Sequence, residues 1–148
     1  MPFRFRLESI LRLRQGLERR EELLLQKANQ KVAQVRKEME ACLRELAERA
    51  ATRQNQIWAG AFGSELHFDL SVDESIRARH STLAAELKRV EALRDQQRER
   101  YQNARRERET LESIRSRELD AHRGAAQRRA QRAVDDLLLL RREFLRRG

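Results

Sequence analysis

Apolar residues recur at steps of three and four from Leu7 through Ile10, Leu17, Leu24, Ala28, Val32, Val35, Met39, Cys42 and Leu46, and the run closes on Ile57 and Trp58. This spacing keeps a narrow apolar stripe on one face of an α-helix, the seam along which two helices supercoil. Two successive four-residue steps, Leu24 to Ala28 to Val32, predict a local unwinding of the supercoil while the helix continues. The pattern stops between Ala59 and Leu70, where AGAFGSELHFDL brings two glycines and an apolar alternation at Leu66, Phe68 and Leu70. A turn over about 59–71 is therefore expected. Ser71 and Glu74 have the spacing of a capping box, which satisfies orphan amides at a helix start and places the second helix from near Val72.

The seam of that second helix runs through Ile76, His80, Leu83, Leu87, Val90, Gln97, Tyr101, Ala104, Leu111 and Ile114, then Leu119, His122, Ala126, Ala130, Val134, Leu137 and Phe144. Its middle is poor in apolar residues: over 94–109 only Tyr101 and Ala104 are neither charged nor amide-bearing. Knobs-into-holes packing is expected to be weak there, leaving flexibility or a partner contact. The expected fold is all-α, a long antiparallel two-helix coiled-coil hairpin forming one domain over 1–148, with helix one over about 4–58 and helix two over about 72–146. With the turn near residue 65, matching rise per residue puts Phe5 opposite about position 125 and leaves about the last 20 residues as an overhang. The overhang holds Leu137 to Leu140, Phe144 and Leu145, apolar surface that a second protein could bury.

Composition narrows the alternatives. The 148 residues are 39% hydrophobic, 39% charged and 5% aromatic, which suits a narrow seam and not a globular core. A single proline, Pro2, and five glycines are too little punctuation for a sheet. Cys42 is the one cysteine and has no internal disulfide partner, and the first residues lack the apolar stretch of a secretory signal, so a cytoplasmic address is expected. The longest aliphatic run, Leu137 to Leu140, falls far short of a membrane span. Pairing with a second copy as a parallel dimer of extended helices stays open, although the glycine turn favours the hairpin.

The net charge of +9 is concentrated at the ends. Residues 1–20 hold six Arg against two Glu, residues 123–148 hold eight Arg against three acids, and 21–122 cancel at 19 each. In a hairpin both basic segments meet at one pole, which steers acidic partners. No glycine-rich phosphate loop, G-x-S-x-G turn or H-E-x-x-H pair is present, and a two-helix hairpin offers no deep pocket, so catalysis is not expected. His67, His80 and His122 lie far apart and with Cys42 lack paired metal-ligand spacing. His80 and His122 read as polar seam positions.

Nucleic-acid binding is the main alternative, because a pI near 11.0 and Arg-rich ends suit phosphate contacts. Interleaved acids oppose it: Asp135 and Asp136 interrupt the C-terminal cluster, Glu8 and Glu18 the N-terminal one, so neither is a continuous basic helix. The same Asp135 and Asp136, with Glu143, oppose a membrane-surface helix around Leu137 to Leu140.

The N-terminal pattern Phe3-x-Phe5-x-Leu7-x-x-Ile10-Leu11-x-Leu13-Arg14, followed by Glu18, Glu21 and Glu22, resembles the opening of the flagellar FliJ family. The charged helix from Glu118 to Arg132, leading into Asp135 and Asp136, is similar to the family's C-terminal half, and the resemblance covers essentially the whole chain. It implies a non-enzymatic, cofactor-free component of the flagellar type III export apparatus, cytoplasmic and peripheral to the inner membrane at the flagellar base, similar to the central shaft of rotary ATPases. The partners it implies are the hexameric export ATPase, the export gate protein and export chaperones. The family's mode of binding would turn Arg4, Arg6, Arg12, Arg14, Arg128, Arg129, Arg132, Arg141 and Arg142 toward the ATPase ring. It would turn Met39, Leu46, Ile76, His80 and Leu83 toward the gate and chaperones. The stalk of a virulence-type secretion system is the alternative within this resemblance.

Overall fold

The computed structural model describes residues 1–60 and 62–148, and among them forms two helices, α1 over Glu8–Trp58 and α2 over Gly63–Arg147, with no strand. The protein is an all-α helical hairpin. Residues 1–7 are not helical, so α1 begins later than about residue 4; Glu8 N–H donates to Phe5 O (3.3 Å) and Leu11 N–H to Leu7 O (2.9 Å). The Glu8 carboxylate in the first turn suits the positive end of the helix dipole. At the other end Ala59 N–H reaches Asn55 O (3.0 Å), Gly60 N–H reaches Ile57 O (3.2 Å), and Gly60 takes a φ of 85°. That left-handed conformation costs glycine nothing and stops the helix.

Helix α2 begins at Gly63 and not near Val72. The Phe62 carbonyl accepts Glu65 N–H (3.1 Å) and Leu66 N–H (3.3 Å) as its opening bonds, and Ser71 sits exposed inside the helix and is no cap. The segment expected to be a turn is helical from Gly63 because Leu66, Asp69 and Asp73 continue the seam at steps of three and four, two of them as carboxylates. Ala61, within the expected turn, lies outside the described residues.

The chain divides into two compact units, described separately: a turn unit, Arg19–Gln102, and an end unit, Met1–Glu18 with Asn103–Gly148. In the turn unit the inward positions of α1 are Glu21, Leu25, Ala28, Val32, Val35, Met39, Cys42, Leu46, Arg49 and Arg53, alternating three and four without interruption. Leu25 and not Leu24 is the seam residue, so the expected stutter is absent; Leu24 is exposed. Partners descend along α2 as α1 ascends: Glu21 meets Gln97, Arg36 meets Glu91 at 2.7 Å, and Arg49 meets Asp73 at 2.8 Å. The helices are antiparallel. Val32, Val35 and Val90 form the buried centre, flanked by Met39, Leu83 and Leu87. Full burial of such a valine stabilises by roughly 1.5–3 kcal/mol.

In the end unit the seam is more polar. Phe5 and Leu11 are buried, while Arg14 pairs with Glu107 and Arg108 bridges Glu18 and Glu112. Arg115 reaches Glu8 at 3.3 Å, and the Phe3 ring meets the His122 ring at 5.7 Å and 58°. Phe5 therefore lies opposite the segment between Arg115 and His122, not opposite position 125. From Ala126 onward every residue is exposed, which is the overhang expected from the sequence.

Candidate protein-binding surfaces

All nine arginines expected to bind a partner fall in the end unit. Arg4, Arg6, Arg12, Arg128, Arg129, Arg132, Arg141 and Arg142 are exposed; Arg14 is half-buried and its guanidinium is held by the Glu107 carboxylate. Arg12 is loosely tied to Glu8 one turn earlier, at 3.8 Å. In the overhang, Ala126, Ala130, Ala133, Leu137, Leu140 and Phe144 follow one another at steps of four and three, so α2 extends a heptad stripe beyond the residues that α1 covers. Leu137, Leu138, Leu139, Leu140, Phe144 and Leu145 are all more than half exposed. A shallow groove beside them is lined by Leu139, Arg142, Glu143 and Arg146. This surface combines an unpaired apolar stripe with forked cationic groups, which suits a helical partner carrying carboxylates.

Within the end unit the charges that face inward are already matched. Arg108 Nη1 donates to Glu112 at 2.6 Å and Nη2 to Glu18 at 3.1 Å. The hydrogen bond that Arg108 donates to Glu18, ahead of the one it donates to Glu112, raises the guanidinium above its ordinary range and so favours its charged form. Both members of this bridge, Glu18 on α1 and Arg108 on α2, are half-buried, so the seam position they occupy is polar on both helices.

The five residues expected near the turn all belong to the turn unit and to its seam. Ile76 is buried, while Met39, Leu46, His80 and Leu83 are half-buried, with Met39 and Leu83 packed on the valine centre. Their exposed edges are narrow. More widely exposed apolar side chains of this unit lie elsewhere: Ile57, Trp58, Phe62, Phe68 and Leu70 cluster in sequence about the turn, Trp58 being 84% exposed, and Leu23, Leu24, Leu43 and Leu93 lie farther along the helices. The sequence reading placed Ile57 and Trp58 at the end of the seam; the structure turns both outward. A groove at this end is lined by Gln56, Ser64, Glu65, Phe68 and Asp69.

Sequence reasoning also passed over the charged seam residues behind the turn. Asp73 is 2% exposed, with Arg49 Nε donating to Oδ1 at 2.8 Å and Arg53 Nη2 donating to Oδ2. Arg49 Nη2 continues to the Asp69 carbonyl at 3.1 Å and its carboxylate at 3.2 Å. The hydrogen bond from Arg49, then that from Arg53, holds the Asp73 carboxyl below its ordinary value. The signal was present as acids at 69 and 73 and arginines at 49 and 53, each pair four apart on its helix.

The histidines and the cysteine do not assemble. His122 faces Phe3 and Cys42 is covered by Arg79, and among the described residues no group of three or more His, Cys, Asp or Glu could hold a metal. No described helix is long and apolar enough to cross a membrane.

Searches of curated proteins and of solved structures return no match. A family comparison does: the family described as Flagellar FliJ protein matches residues 3–148, and the chain belongs to that family.

Proposed function

We propose that this chain is a non-enzymatic stalk of the flagellar type III export apparatus, binding the export ATPase ring through its end unit and coupling the ring to the export gate and chaperones. The reading rests on family membership and on one structural observation: eight exposed arginines and the uncovered stripe Leu137, Leu140 and Phe144 share a single compact unit. A ring interior lined with acidic loops would meet the guanidinium groups by charge-assisted hydrogen bonds and bury the stripe. In this reading the chain needs no cofactor and works in the cytoplasm, held at the inner membrane through the export complex. The gate and chaperones contact the turn unit, where Met39, Leu46, His80 and Leu83 offer partial edges and Ile76 supports them from inside.

The test is a triple substitution, Arg128→Glu, Arg129→Glu and Arg132→Glu, in the full chain. Binding to the cognate export ATPase and stimulation of its turnover should fall at least tenfold while helicity is kept. Unchanged binding would refute the role of these arginines. Tighter binding to duplex DNA than to the ATPase, with a steep log-log salt dependence, would replace the stalk reading with a nucleic-acid-binding one.

A further inference from the structure

We propose that the Arg49–Arg53–Asp69–Asp73 knot behind the turn sets the register and orientation of the two helices, a task that the apolar seam does not perform. Around the knot the seam of the turn unit is built from Val32, Val35, Met39, Cys42 and Leu46 on α1 and Ile76, Leu83, Leu87 and Val90 on α2. Aliphatic knobs of similar size accept one another in any alignment that differs by a heptad, so burial alone discriminates weakly between registers. A buried carboxylate discriminates strongly, because it must have its cations.

Only the observed alignment provides them. Asp73 is the most deeply buried charged residue, and its two oxygens are each met by a different arginine. Sliding α1 by seven residues would bring Cys42 and Leu46, or Gln56 and Gly60, to the places of Arg49 and Arg53. Either slip leaves a carboxylate in the seam with no counterion. A neighbouring layer adds to the discrimination: Arg79 now reaches Cys42 Sγ at 3.3 Å and Glu45 at 3.2 Å, and one of the two slips would set it against Arg49. A parallel pair of α1 helices from two copies would oppose Arg49 to Arg49 and Arg53 to Arg53, which disfavours that arrangement. The knot is not built for maximal bonding, since Arg53 Nε is buried without a hydrogen-bond partner among the described residues. Its geometry serves selection among alignments, the best-attested use of buried polar groups in coiled coils.

The experiment replaces the knot by apolar residues, Arg49→Met, Arg53→Leu and Asp73→Leu, in the full chain. Register is read by double electron–electron resonance between spin labels at Gln34→Cys and Lys88→Cys in a Cys42→Ala background. Mass is read by light scattering. With the knot intact, one narrow distance population in a monomer is expected. The apolar variant should keep its helicity and urea midpoint but show a distribution at least twofold broader, or split. A single narrow population at the original distance would overturn the proposal. Should the apolar variant lose its helicity, a second comparison decides. The inverted knot, Arg49→Asp, Arg53→Asp, Asp69→Arg and Asp73→Arg, should restore the narrow population that Asp73→Arg alone destroys. An inverted knot no narrower than Asp73→Arg would also overturn it.

Discussion

Arg79 on α2 donates from Nε to Cys42 Sγ on α1 across 3.3 Å, closing the guanidinium over a sulfur that is 1% exposed. The arginine reaches on to Glu45 at 3.2 Å, so the lid is itself anchored. The sequence showed a lone thiol at an apolar seam position; the fold places it under a charged cover.

This burial makes Cys42 inert in the native protein, because the reacting thiolate must reach reagent. An aromatic disulfide reagent should modify the folded chain on the order of a hundredfold slower than the chain in urea, the rate following the opening of the helices. Stopped-flow absorbance checks this. Equal rates in both conditions would show that the thiol is uncovered.

The valine centre should carry a large share of stability. Val90→Ala removes two methyl groups from a residue 2% exposed and should cost about 1–3 kcal/mol in urea unfolding. Leu138→Ala, on the uncovered overhang, should change stability by less than about 0.5 kcal/mol. A larger loss at Leu138 than at Val90 would contradict the packing described.

Acid sensitivity should trace to the knot. The two arginines hold the Asp73 carboxyl below its ordinary value of 3.8, so the folded form binds the proton more weakly than the unfolded chain does. The associated stability is therefore present above that value and is lost as the pH falls through the depressed folded value. Melting temperature should drop as the pH is lowered from about 4 to about 2. Asp73→Asn should be less stable at neutral pH and show a flatter acid limb. Glu86, lowered chiefly by its hydrogen bond from Arg89, contributes an acid limb of the same sign that remains in the variant.

Deleting residues 126–148 should leave the melting temperature within about 2 °C of the full chain, because every residue removed is exposed and none is covered by α1. Circular dichroism at 222 nm reports both quantities, with total helical signal falling in proportion to length. A drop of 10 °C or more would show that the overhang supports the end unit.

Much of this arrangement was legible in advance. The second helix's seam from Ile76 to Ile114 and the overhang after it coincide with the residues that the fold turns inward and leaves bare. The first helix was misread at Ile10 and Leu24, both exposed, where the adjacent Leu11 and Leu25 face inward, because only burial chooses between neighbouring aliphatic residues. The start of α2 was misplaced for a different reason. Its first seam layers use Asp69 and Asp73, which hydropathy scores as surface, so the periodicity ended early and Ser71 and Glu74 offered a plausible cap in its place. The exposed apolar group at Ile57, Trp58, Phe62 and Phe68 was hidden because the first two were assigned to the end of the seam and the last two to the turn.

By itself the sequence determined two long helices, a glycine-marked break between them and the basic ends, because periodicity, glycine placement and formal charge are local properties that no neighbour can alter. The tertiary structure decided which of two adjacent leucines faces inward, which charges are buried, and where the return begins. Those outcomes depend on what stands opposite: a carboxylate is a seam residue only when an arginine of the other helix arrives to meet it. The register of the hairpin belongs to this second class, being written in pairs such as Arg49 with Asp73 whose members lie far apart in the chain.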